Sequence, residues 1–547
     1  MSMFNRTYLG FTFILLLSAF LRLYALAIVP PSPSLDEVSI GYNAYSILTT
    51  GKDEYGYRLP LLLRAYDDWR PSMYVYIVIP FVKFMGLSSL AVRFPSIILS
   101  LFAVYLMFCL GKLFSRYNSR LRYLGEAVSF LMAISPWHIY ISRLGHEANL
   151  GFTLTLAGVY ALCVFIIEKK QWYLLWASIL FGVSLHGYQS QKLITPILLI
   201  AFGAMYWKEC VKHIKVVCIS AGVFLLIVLP AVYVTVTGEG LSRLKGTSAF
   251  SIDAPVYTQA FQALQIAKSS NDIIGKILNT RKVVMARVFA SNYFSHFAPT
   301  WLFMGSEREA HKVPNMGLLY SWELISVLVG LIYLIVFSSI DFRVLLFLLV
   351  WGLSGPLPAA ITTQAPHAMR SFTWLPPLAL LSGVGVLELW YVARKFTWTR
   401  WIIVGGIILW SLMQFGKGYF ITFPRTQSDS FQYAMKDTMA FVQGTKNEYK
   451  QIVFSNNGNL YQSYMFYLFY SSFDPNLYQI LGGSVSGGYD KPHRLKNFEF
   501  RSVDWTKEEL KAGTLYVSDS KNAPSQKRIV NIFRNLDGKE AIIAFTL

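Results

Sequence analysis

Apolar runs recur along this 547-residue chain, and they constrain its fold more than any other feature. Most are close to 20 residues long, the helix length that crosses a hydrocarbon core about 30 Å thick. Only 14% of the residues are charged, whereas a soluble domain has about 25%. We therefore predict a polytopic α-helical membrane protein with about 11 (11–13) transmembrane helices. The candidate spans are 7–29, 73–111, 121–137, 149–167, 171–187, 192–207, 214–236, 318–338, 343–360, 370–393 and 400–419.

The second of these runs, 73–111, is too long for one simple span. It contains Pro80 and Pro95, and proline removes a backbone donor and clashes with the preceding helical turn. We therefore predict a short interfacial helix followed by a span, with the break near these prolines.

Basic residues distinguish the two sides of the membrane, because lysine and arginine concentrate in cytoplasmic loops. Every second loop of the predicted topology is basic, which places the N-terminus in the cytoplasm and the C-terminus outside the cell membrane. The residues concerned are Arg6, Lys112, Arg116, Arg120, Arg122, Lys169, Lys170, Lys208, Lys212, Lys215, Arg343, Arg394, Lys395 and Arg400. Because these cations face anionic membrane lipids, the net charge of +19 predicts no nucleic-acid partner.

The same topology defines two extracytoplasmic regions of unusual length. The loop 237–317 is longer than a plain connection and predicts helices of its own. Beyond the membrane domain, 1–420, the tail 421–547 has strand-like runs at 451–454, 514–517 and 541–545 with turn residues between them. We predict that this tail is a small extracytoplasmic α/β domain.

Asp36 and Glu37 form an acidic pair a few residues after the first apolar run. An acid costs roughly 2.5–3.5 kcal/mol at the centre of a membrane helix. Acids held at a membrane surface are therefore candidates for function. The alternative is a pair of hydrated loop charges that only ends the helix.

The other predicted outer loops bring further charges to the same side. Loop 30–72 carries Arg70 in addition to the acidic pair, loop 138–148 contains Arg143 and Glu147, and loop 361–370 contains more cations. These groups predict a polar pocket in which carboxylates act as a base or stabilise charge, and arginine and histidine neutralise an anion such as phosphate. For each cation taken alone, the alternative is a long side chain that reaches to the membrane interface.

Several motifs resemble those of a known family. Segment 34–56, SLDEVSIGYNAYSILTTGKDEYG, is similar to the first outer loop of bacterial members of the protein mannosyltransferase superfamily (family 39-like), to which the lipid A aminoarabinose transferase is related. The other matching motifs are SPWHIYISR (135–143), EAN (147–149), FAPTWLF (297–303), GLLY (317–320) and PHAMR (366–370). This resemblance covers residues 1–425 and implies a GT-C fold glycosyltransferase with its active site on the outer face.

The resemblance also implies roles for individual residues. The family's first-loop acid corresponds to Asp36 as the general base, and Glu37 completes the motif and orients either Asp36 or a neighbouring cation. The second-loop acid, often aspartate in the family, corresponds to Glu147, and Arg70 precedes a proline where relatives carry a basic residue that helps to bind phosphate. Further candidates for binding the donor phosphate are Arg143, Tyr188, Lys192, His367 and Arg370.

The implied reaction is a single inverting displacement at the anomeric carbon of a polyprenyl-phosphate monosaccharide. Asp36 accepts the proton of an acceptor hydroxyl or amine, and Arg70 stabilises the leaving lipid phosphate. The acceptor is a protein, a lipid or a cell-envelope glycan, and the sequence does not distinguish these or identify the sugar.

A divalent cation is the one candidate cofactor. No fixed spacing such as H-E-x-x-H is present, so the sequence does not require a metal. Residues that could supply ligands are Asp36, Glu37, His146, Glu147, His296, Glu307 and His311.

Two other classes of protein compete with the enzyme. A lipid-linked sugar flippase or transporter would need polar or broken helices near the membrane midplane and usually repeated halves. Most of the predicted spans are apolar through their centres, and the acids are at one face. An interaction scaffold that works through its tail leaves the acids of the outer loops unexplained.

Overall fold

The computed structural model of the protein describes residues 3–66, 68–237, 248–250, 255–337, 340–485, 492–525 and 527–547, with side chains described from residue 9 onward. Its first half consists of helices and one short hairpin. In chain order they are α1 (Met3–Leu23), α2 (Leu35–Thr50), β1 (Leu62–Ala65), β2 (Asp68–Pro71), α3 (Met73–Met85), α4 (Ser89–Phe114), α5 (Leu124–Ile134), α6 (Pro136–Ser142), α7 (Glu147–Glu168), α8 (Tyr173–Ser184), α9 (Gln191–Met205), α10 (Trp207–Lys212) and α11 (Ile214–Thr237).

The second half begins with helices and ends in a sheet. Its elements are α12 (Pro255–Ser269), α13 (Ile273–Leu278), α14 (Arg281–Ser295), α15 (Pro299–Phe303), α16 (Glu323–Val336), α17 (Phe342–Ser354), α18 (Leu357–Ala360), α19 (Leu375–Val392), α20 (Thr399–Phe415), α21 (Phe423–Thr426), α22 (Met435–Thr445), β3 (Gln451–Ser455), α23 (Ser463–Tyr470), α24 (Pro475–Ile480), β4 (His493–Leu495), β5 (Phe498–Arg501), β6 (Thr514–Asp519), β7 (Arg528–Arg534) and β8 (Glu540–Thr546). A π-helical segment, Gly416–Thr422, joins α20 to α21.

Apolar helices occur where the sequence predicts spans. Within the described residues, six are long and apolar enough to cross a membrane, and five shorter apolar helices accompany them. Helix α7 is central, since 83% of its apolar stretch is buried, whereas only 11% of the stretch that includes α20 is buried. The long stretches are Ser89–Tyr117, Glu147–Glu168, Ile214–Val236, Phe342–Ala360, Phe372–Lys395 and Thr399–Thr426.

The predicted break of the run 73–111 is in the wrong place. Pro80 and Pro95 both lie inside helices, α3 and α4. The chain turns instead at Gly86, whose φ of +71° favours glycine, and at Ser88, whose side chain accepts a hydrogen bond from the Ala91 amide and starts α4. A glycine followed by an N-cap therefore ends the helix more effectively than a proline inside an apolar segment, where packed neighbours can compensate for the lost backbone bond.

The described residues of the long loop between α11 and α16 form four helices, α12 to α15. Helix α14 is anchored against the end of α17, because the Tyr293 hydroxyl donates to the carbonyl oxygen of Leu353 at 2.8 Å. The Asn292 side chain donates to the carbonyl oxygen of Ala360 at 3.1 Å. This anchoring brings the chain after α14 to the same end of the bundle as the loop 361–371.

The C-terminal region is built on a six-stranded mixed sheet in the order β4-β5-β3-β6-β8-β7. Strand β3 pairs in parallel with β5 and β6, and the remaining pairs are antiparallel. The strands β3, β6 and β8 include the three strand-like runs of the sequence.

This region packs directly on α2, the helix that begins with Leu35-Asp36. A Cβ atom on Gly41 would lie 2.6 Å from the ring of Phe469, so only glycine allows α23 to approach so closely. The Tyr42 hydroxyl donates to the carbonyl oxygen of Phe473 at 3.2 Å. The apolar core under α2 is therefore shared between the N-terminal helices and the C-terminal β-sheet region.

Candidate active site

The acidic pair lies in the first turn of α2. The Ser34 side chain accepts from the Glu37 amide, and the Glu37 carboxylate accepts from the Ser34 amide at 2.7 Å, which is a capping box. Two carboxylates in a first helical turn also interact favourably with the positive end of the helix dipole. The local sequence alone therefore explains why a helix starts here and presents Asp36 at its end.

Glu37 is fully buried, and all its bonding capacity is directed into the protein. Its Oε1 accepts from the Arg93 Nε at 2.7 Å and from the Gly145 amide at 3.0 Å. Arg93 also donates to the carbonyl oxygens of Leu26, at 2.9 Å, and Ser32, also at 2.9 Å. A buried ion pair with such additional hydrogen bonds holds three segments together, and it leaves Glu37 no exposed surface for a substrate.

Arg143 has a similar role in a deeper layer of the structure. It is fully buried and donates to the carbonyl oxygens of Leu21, at 3.0 Å, Arg22, at 2.8 Å, and Val29, at 2.7 Å. Its guanidinium also lies over the ring of Tyr419 at 5.3 Å. The structure thus places Arg143 under the connection between α1 and α2 and gives it backbone oxygens as its hydrogen-bond acceptors.

Asp36 differs from its neighbour because half of its side chain, 50%, is exposed. Its Oδ1 accepts from Arg70 at 3.0 Å, and its Oδ2 lies 3.8 Å from the Nε2 of His146. Arg70 is buried and also donates to the Ser39 hydroxyl at 2.7 Å, one turn along α2. The β1–β2 hairpin, in which Arg70 pairs with Leu63, positions the guanidinium.

Glu147 begins α7 immediately after His146, which caps that helix through its Nδ1. The Glu147 carboxylate is 2% exposed, and its Oε2 has no hydrogen-bond partner among the described residues. The ring of His146 packs edge-on against Tyr188 at 5.8 Å. Glu147 and Tyr188 are therefore both neighbours of the His146 ring, which lies beside Asp36.

Later loops contribute two histidines and an arginine to this region of the structure. The rings of His311 and His367 lie 5.1 Å apart, and the Arg370 amide donates to the Nδ1 of His367 at 3.3 Å. The Arg370 guanidinium donates to the Thr362 hydroxyl at 2.7 Å. The Ser190 hydroxyl donates to the carbonyl oxygen of Arg370 at 3.0 Å, which brings this loop beside the segment that carries Tyr188. His311 is also close enough to His146 and Asp36 to interact with them electrostatically.

Burial and the neighbouring cations keep these two imidazoles neutral. The pKa of His311 falls to about 4, chiefly through burial and then through its electrostatic interaction with His146. The pKa of His367 falls to about 2, through burial and then through the charges of His311 and Arg370. At neutral pH both rings act as hydrogen-bonding groups, and arginine is the cation of this region of the site.

Lys192 contacts α11. Its Nζ donates to the Thr235 hydroxyl of α11 at 3.1 Å. It lines a small cavity with His186 and the residues at the ends of the hairpin, Leu62 and Pro71. Among the predicted site residues, the structure thus gathers Asp36, Glu147, Arg70, Tyr188, His367 and Arg370, and directs Glu37, Arg143 and Lys192 elsewhere.

No group of three or more histidine, cysteine, aspartate or glutamate side chains in the described segments of the chain has the arrangement of a metal site. The described residues do place His311 and His367 side by side, with His296 accepting from the His367 amide at 3.2 Å. Each of these rings already has a protein partner or a close ring neighbour.

Sequence reasoning missed the arginine that holds Glu37. Arg93 lies in an apolar helix, and a charge inside such a run usually has a specific partner. That rule would have singled out Arg93, but the partner, 56 positions away in the chain, follows only from the fold. Ser39, which fixes Arg70, is similarly recognisable only from its place one turn after Asp36.

Comparison with solved structures gives the fold. The crystal structure of ArnT from Cupriavidus metallidurans in the apo state matches with a TM-score of 0.56 and 11% identity, over 99% of this chain and 98% of that chain. The same protein bound to undecaprenyl phosphate matches with a TM-score of 0.51 and 10% identity, over 99% and 98% of the two chains. No model of a known protein family matches the chain, and the comparison with curated proteins found no match.

The chain is thus a polytopic α-helical membrane protein of GT-C fold with a C-terminal β-sheet region. The fold that the motif resemblance implies is confirmed.

Proposed function

We propose that the protein is a glycosyltransferase that moves a monosaccharide from a polyprenyl-phosphate donor to an extracytoplasmic acceptor. The observation that carries this proposal is the half-exposed carboxylate of Asp36 between Arg70 and His146. Such a displacement needs a base, a cation to stabilise the leaving phosphate, and a surface that the substrates can reach. ArnT, a protein of the same fold, has been crystallised with undecaprenyl phosphate, which supports a lipid-phosphate donor.

Asp36 is the general base of the proposed reaction. It removes the proton of the acceptor hydroxyl or amine as that group attacks the anomeric carbon, and the bond to the lipid phosphate breaks on the opposite face. Arg70 and Arg370 stabilise the phosphate charge, and the neutral imidazole of His367 contributes a hydrogen bond. Arrival of the phosphate draws Arg70 away from Asp36, which releases the carboxylate for proton transfer.

Glu37, Arg93 and Arg143 are positioning residues in this proposal. They hold the α1–α2 connection and the start of α7 at fixed distances through buried hydrogen bonds. Glu147 lies behind His146, with its Oε2 3.6 Å from the Nδ1 of that ring, and in this proposal it acts on Asp36 only through the position of that imidazole. Preorganisation of this kind supplies a large share of the rate enhancement in enzymes whose substrates must be aligned.

The orientation in the cell membrane follows from the basic loops. An N-terminus in the cytoplasm places the Asp36 constellation and the C-terminal domain on the extracytoplasmic side. There the donor's lipid tail stays in the bilayer while its phosphate enters the site. A protein, a lipid or a cell-envelope glycan can then approach from outside.

The test is sugar transfer by the full-length protein in proteoliposomes. Radiolabelled polyprenyl-phosphate sugars and a cell-envelope acceptor fraction are supplied to the wild type and to Asp36→Asn. We expect the variant to lose roughly 10²–10⁴-fold in kcat, the usual contribution of a general base, while it still binds polyprenyl phosphate.

Asp429→Asn is the matched control. Asp429 is also a partly exposed aspartate opposite an arginine, Arg308, at 3.5 Å, but it lies outside the site. Transfer at the wild-type rate by Asp36→Asn would refute the assigned base. Movement of the donor across the bilayer without any sugar transfer by the wild type would favour the flippase.

A further inference from the structure

A cationic cleft lies at the end of the C-terminal sheet where its parallel strands begin. The neighbouring parallel strands β5, β3 and β6 each follow a lysine closely: Lys496, Lys450 and Lys511. The register pairs Ile452 with Phe498 and Gln451 with Thr514, so the three strands start side by side. Because these strands run in the same direction, the three lysines lie together at the N-terminal ends of the strands.

Backbone hydrogen bonds hold the three strand starts together. The Lys450 amide donates to the carbonyl oxygen of Gly513 at 2.9 Å, and the Ile452 amide donates to that of Asn497 at 2.8 Å. The three lysines line an open cleft of about 400 Å³. The positions of their Cα atoms are thus fixed by the sheet, while their long side chains can move.

The cleft is positively charged despite the acid in its wall. Glu499 accepts from Arg494 at 2.9 Å and from Gln451 at 3.0 Å, and it also lies 3.5 Å from Arg501. Its charge is therefore already balanced. Lys450, Lys496 and Lys511 are exposed and make no ion pair with another described residue.

One helix, α23, contacts both the wall of the cleft and the segment that precedes Asp36. Phe498 in its wall packs on Tyr467 of α23 at 4.5 Å, and Tyr470 of the same helix lies 3.2 Å from the Ser32 hydroxyl, shortly before Asp36. Helix α23 thus lies between the cleft and α2. Because a helix is about 10 Å across, a molecule that reaches both places is a chain of several units.

We propose that this cleft binds the phosphate or carboxylate groups of an anionic glycan chain, and that this chain is the acceptor. The proposal rests on the proposed glycosyl transfer, whose acceptor class it names. Three mobile ammonium groups suit repeated charges along a polymer, because a lysine binds as a point charge without the fixed fork of arginine. A lipid headgroup would occupy only one of the two places.

The experiment measures binding of inorganic polyphosphate, a soluble anionic chain, to the full-length protein in detergent. The variant is Lys450→Gln/Lys496→Gln/Lys511→Gln. The matched control is Lys507→Gln/Lys521→Gln/Lys539→Gln, which removes the same charge from exposed positions of the same domain. At low salt we expect roughly tenfold weaker binding for the cleft variant, because three charge-assisted contacts are lost, and a much smaller change for the control.

A third variant, with arginine at the three cleft positions, keeps the positive charge but changes the shape of each side chain. If charge determines binding, this variant should keep most of it. Equal losses in the cleft variant and the control would show a general effect of net charge and would overturn the proposal. So would absence of polyphosphate binding by the wild type. If the cleft variant lost binding to phosphatidylglycerol vesicles but kept its polyphosphate binding, the cleft would be assigned to lipid, and the proposal would be overturned.

A transfer assay separates this inference from the proposed function. We expect polyphosphate to raise the KM for the acceptor in the wild type and to have little effect in the cleft variant, with donor binding unchanged in both. Sugar transfer that polyphosphate never inhibits would overturn the acceptor class but leave the transferase intact. Polyphosphate binding without any sugar transfer by the wild type would refute the proposed function instead.

Discussion

Asp36 and Glu37 are adjacent acids of one helical turn, yet they lie in opposite environments. Glu37 is fully buried and bonded to an arginine and two backbone amides, whereas half of Asp36 is exposed beside an arginine and a histidine. A buried charge with several hydrogen bonds fixes the surrounding structure, and a half-exposed one can exchange its partners for a substrate. The comparison therefore separates stability from chemistry, and each acid makes its own prediction.

The largest expected effect on stability comes from Arg93→Met. This change leaves the Glu37 carboxylate buried without its cation and removes the donor to three backbone carbonyl groups. Removing one partner of a buried ion pair costs about 3–5 kcal/mol. We expect a large drop in the midpoint of thermal unfolding in detergent, while Asp36→Asn unfolds near the wild-type temperature.

The double variant Arg93→Met/Glu37→Gln is the control for this effect. It leaves neither charge unpaired, so it should be more stable than Arg93→Met alone. If Arg93→Met alone unfolded at the wild-type temperature, the buried pair would not be what holds the α1–α2 connection. A double variant less stable than the single one would point to the carbonyl contacts instead.

The next effect concerns a third acid of the same loop, Glu54, which links α2 to the C-terminal region. Its carboxylate is buried between Asn43, at 3.0 Å, Ser484, at 2.7 Å, and Tyr464, at 3.3 Å. Burial raises its pKa from 4.5 to about 7. The folded state therefore favours the protonated acid, and its contribution to stability is complete below pH 4.5 and is lost as the pH rises through about 7.

Glu54→Gln tests this contribution, which amounts to about 3 kcal/mol across that pH range. The amide cannot ionise, so the variant should become more stable than the wild type as the pH rises from 5 to 8. The measurement is the difference in unfolding midpoint between the two proteins at each pH. A difference that does not depend on pH would show that Glu54 is already ionised in the folded protein at pH 5.

These contacts also show what the sequence could and could not predict. Apolar length predicted the apolar helices, and strand-like runs separated by turn residues predicted three of the strands, because both are local properties. Arg93 lies 56 positions from Glu37, and Ser484 lies 430 positions from Glu54, so no local pattern identifies these two partners. The break after α3 was misplaced because the effect of a proline depends on the helices packed around it, whereas Gly86 acts through its own φ.

The smallest effect should come from Arg70→Lys, which changes the shape of a cation and keeps its charge. The guanidinium reaches Asp36 and Ser39 at once with two different nitrogens, and one ammonium group cannot reproduce that fork. One charge-assisted hydrogen bond is worth about 1.5–3 kcal/mol, so we expect roughly a tenfold fall in kcat/KM for the lipid-phosphate donor with little change in unfolding temperature. Arg64→Lys in the same hairpin, where the guanidinium lies over Tyr55 at 4.6 Å, serves as the control. Equal losses in both variants would mean that the hairpin as a whole is disturbed. A loss confined to Arg70→Lys would place the donor phosphate beside Arg70 and the exposed side of Asp36.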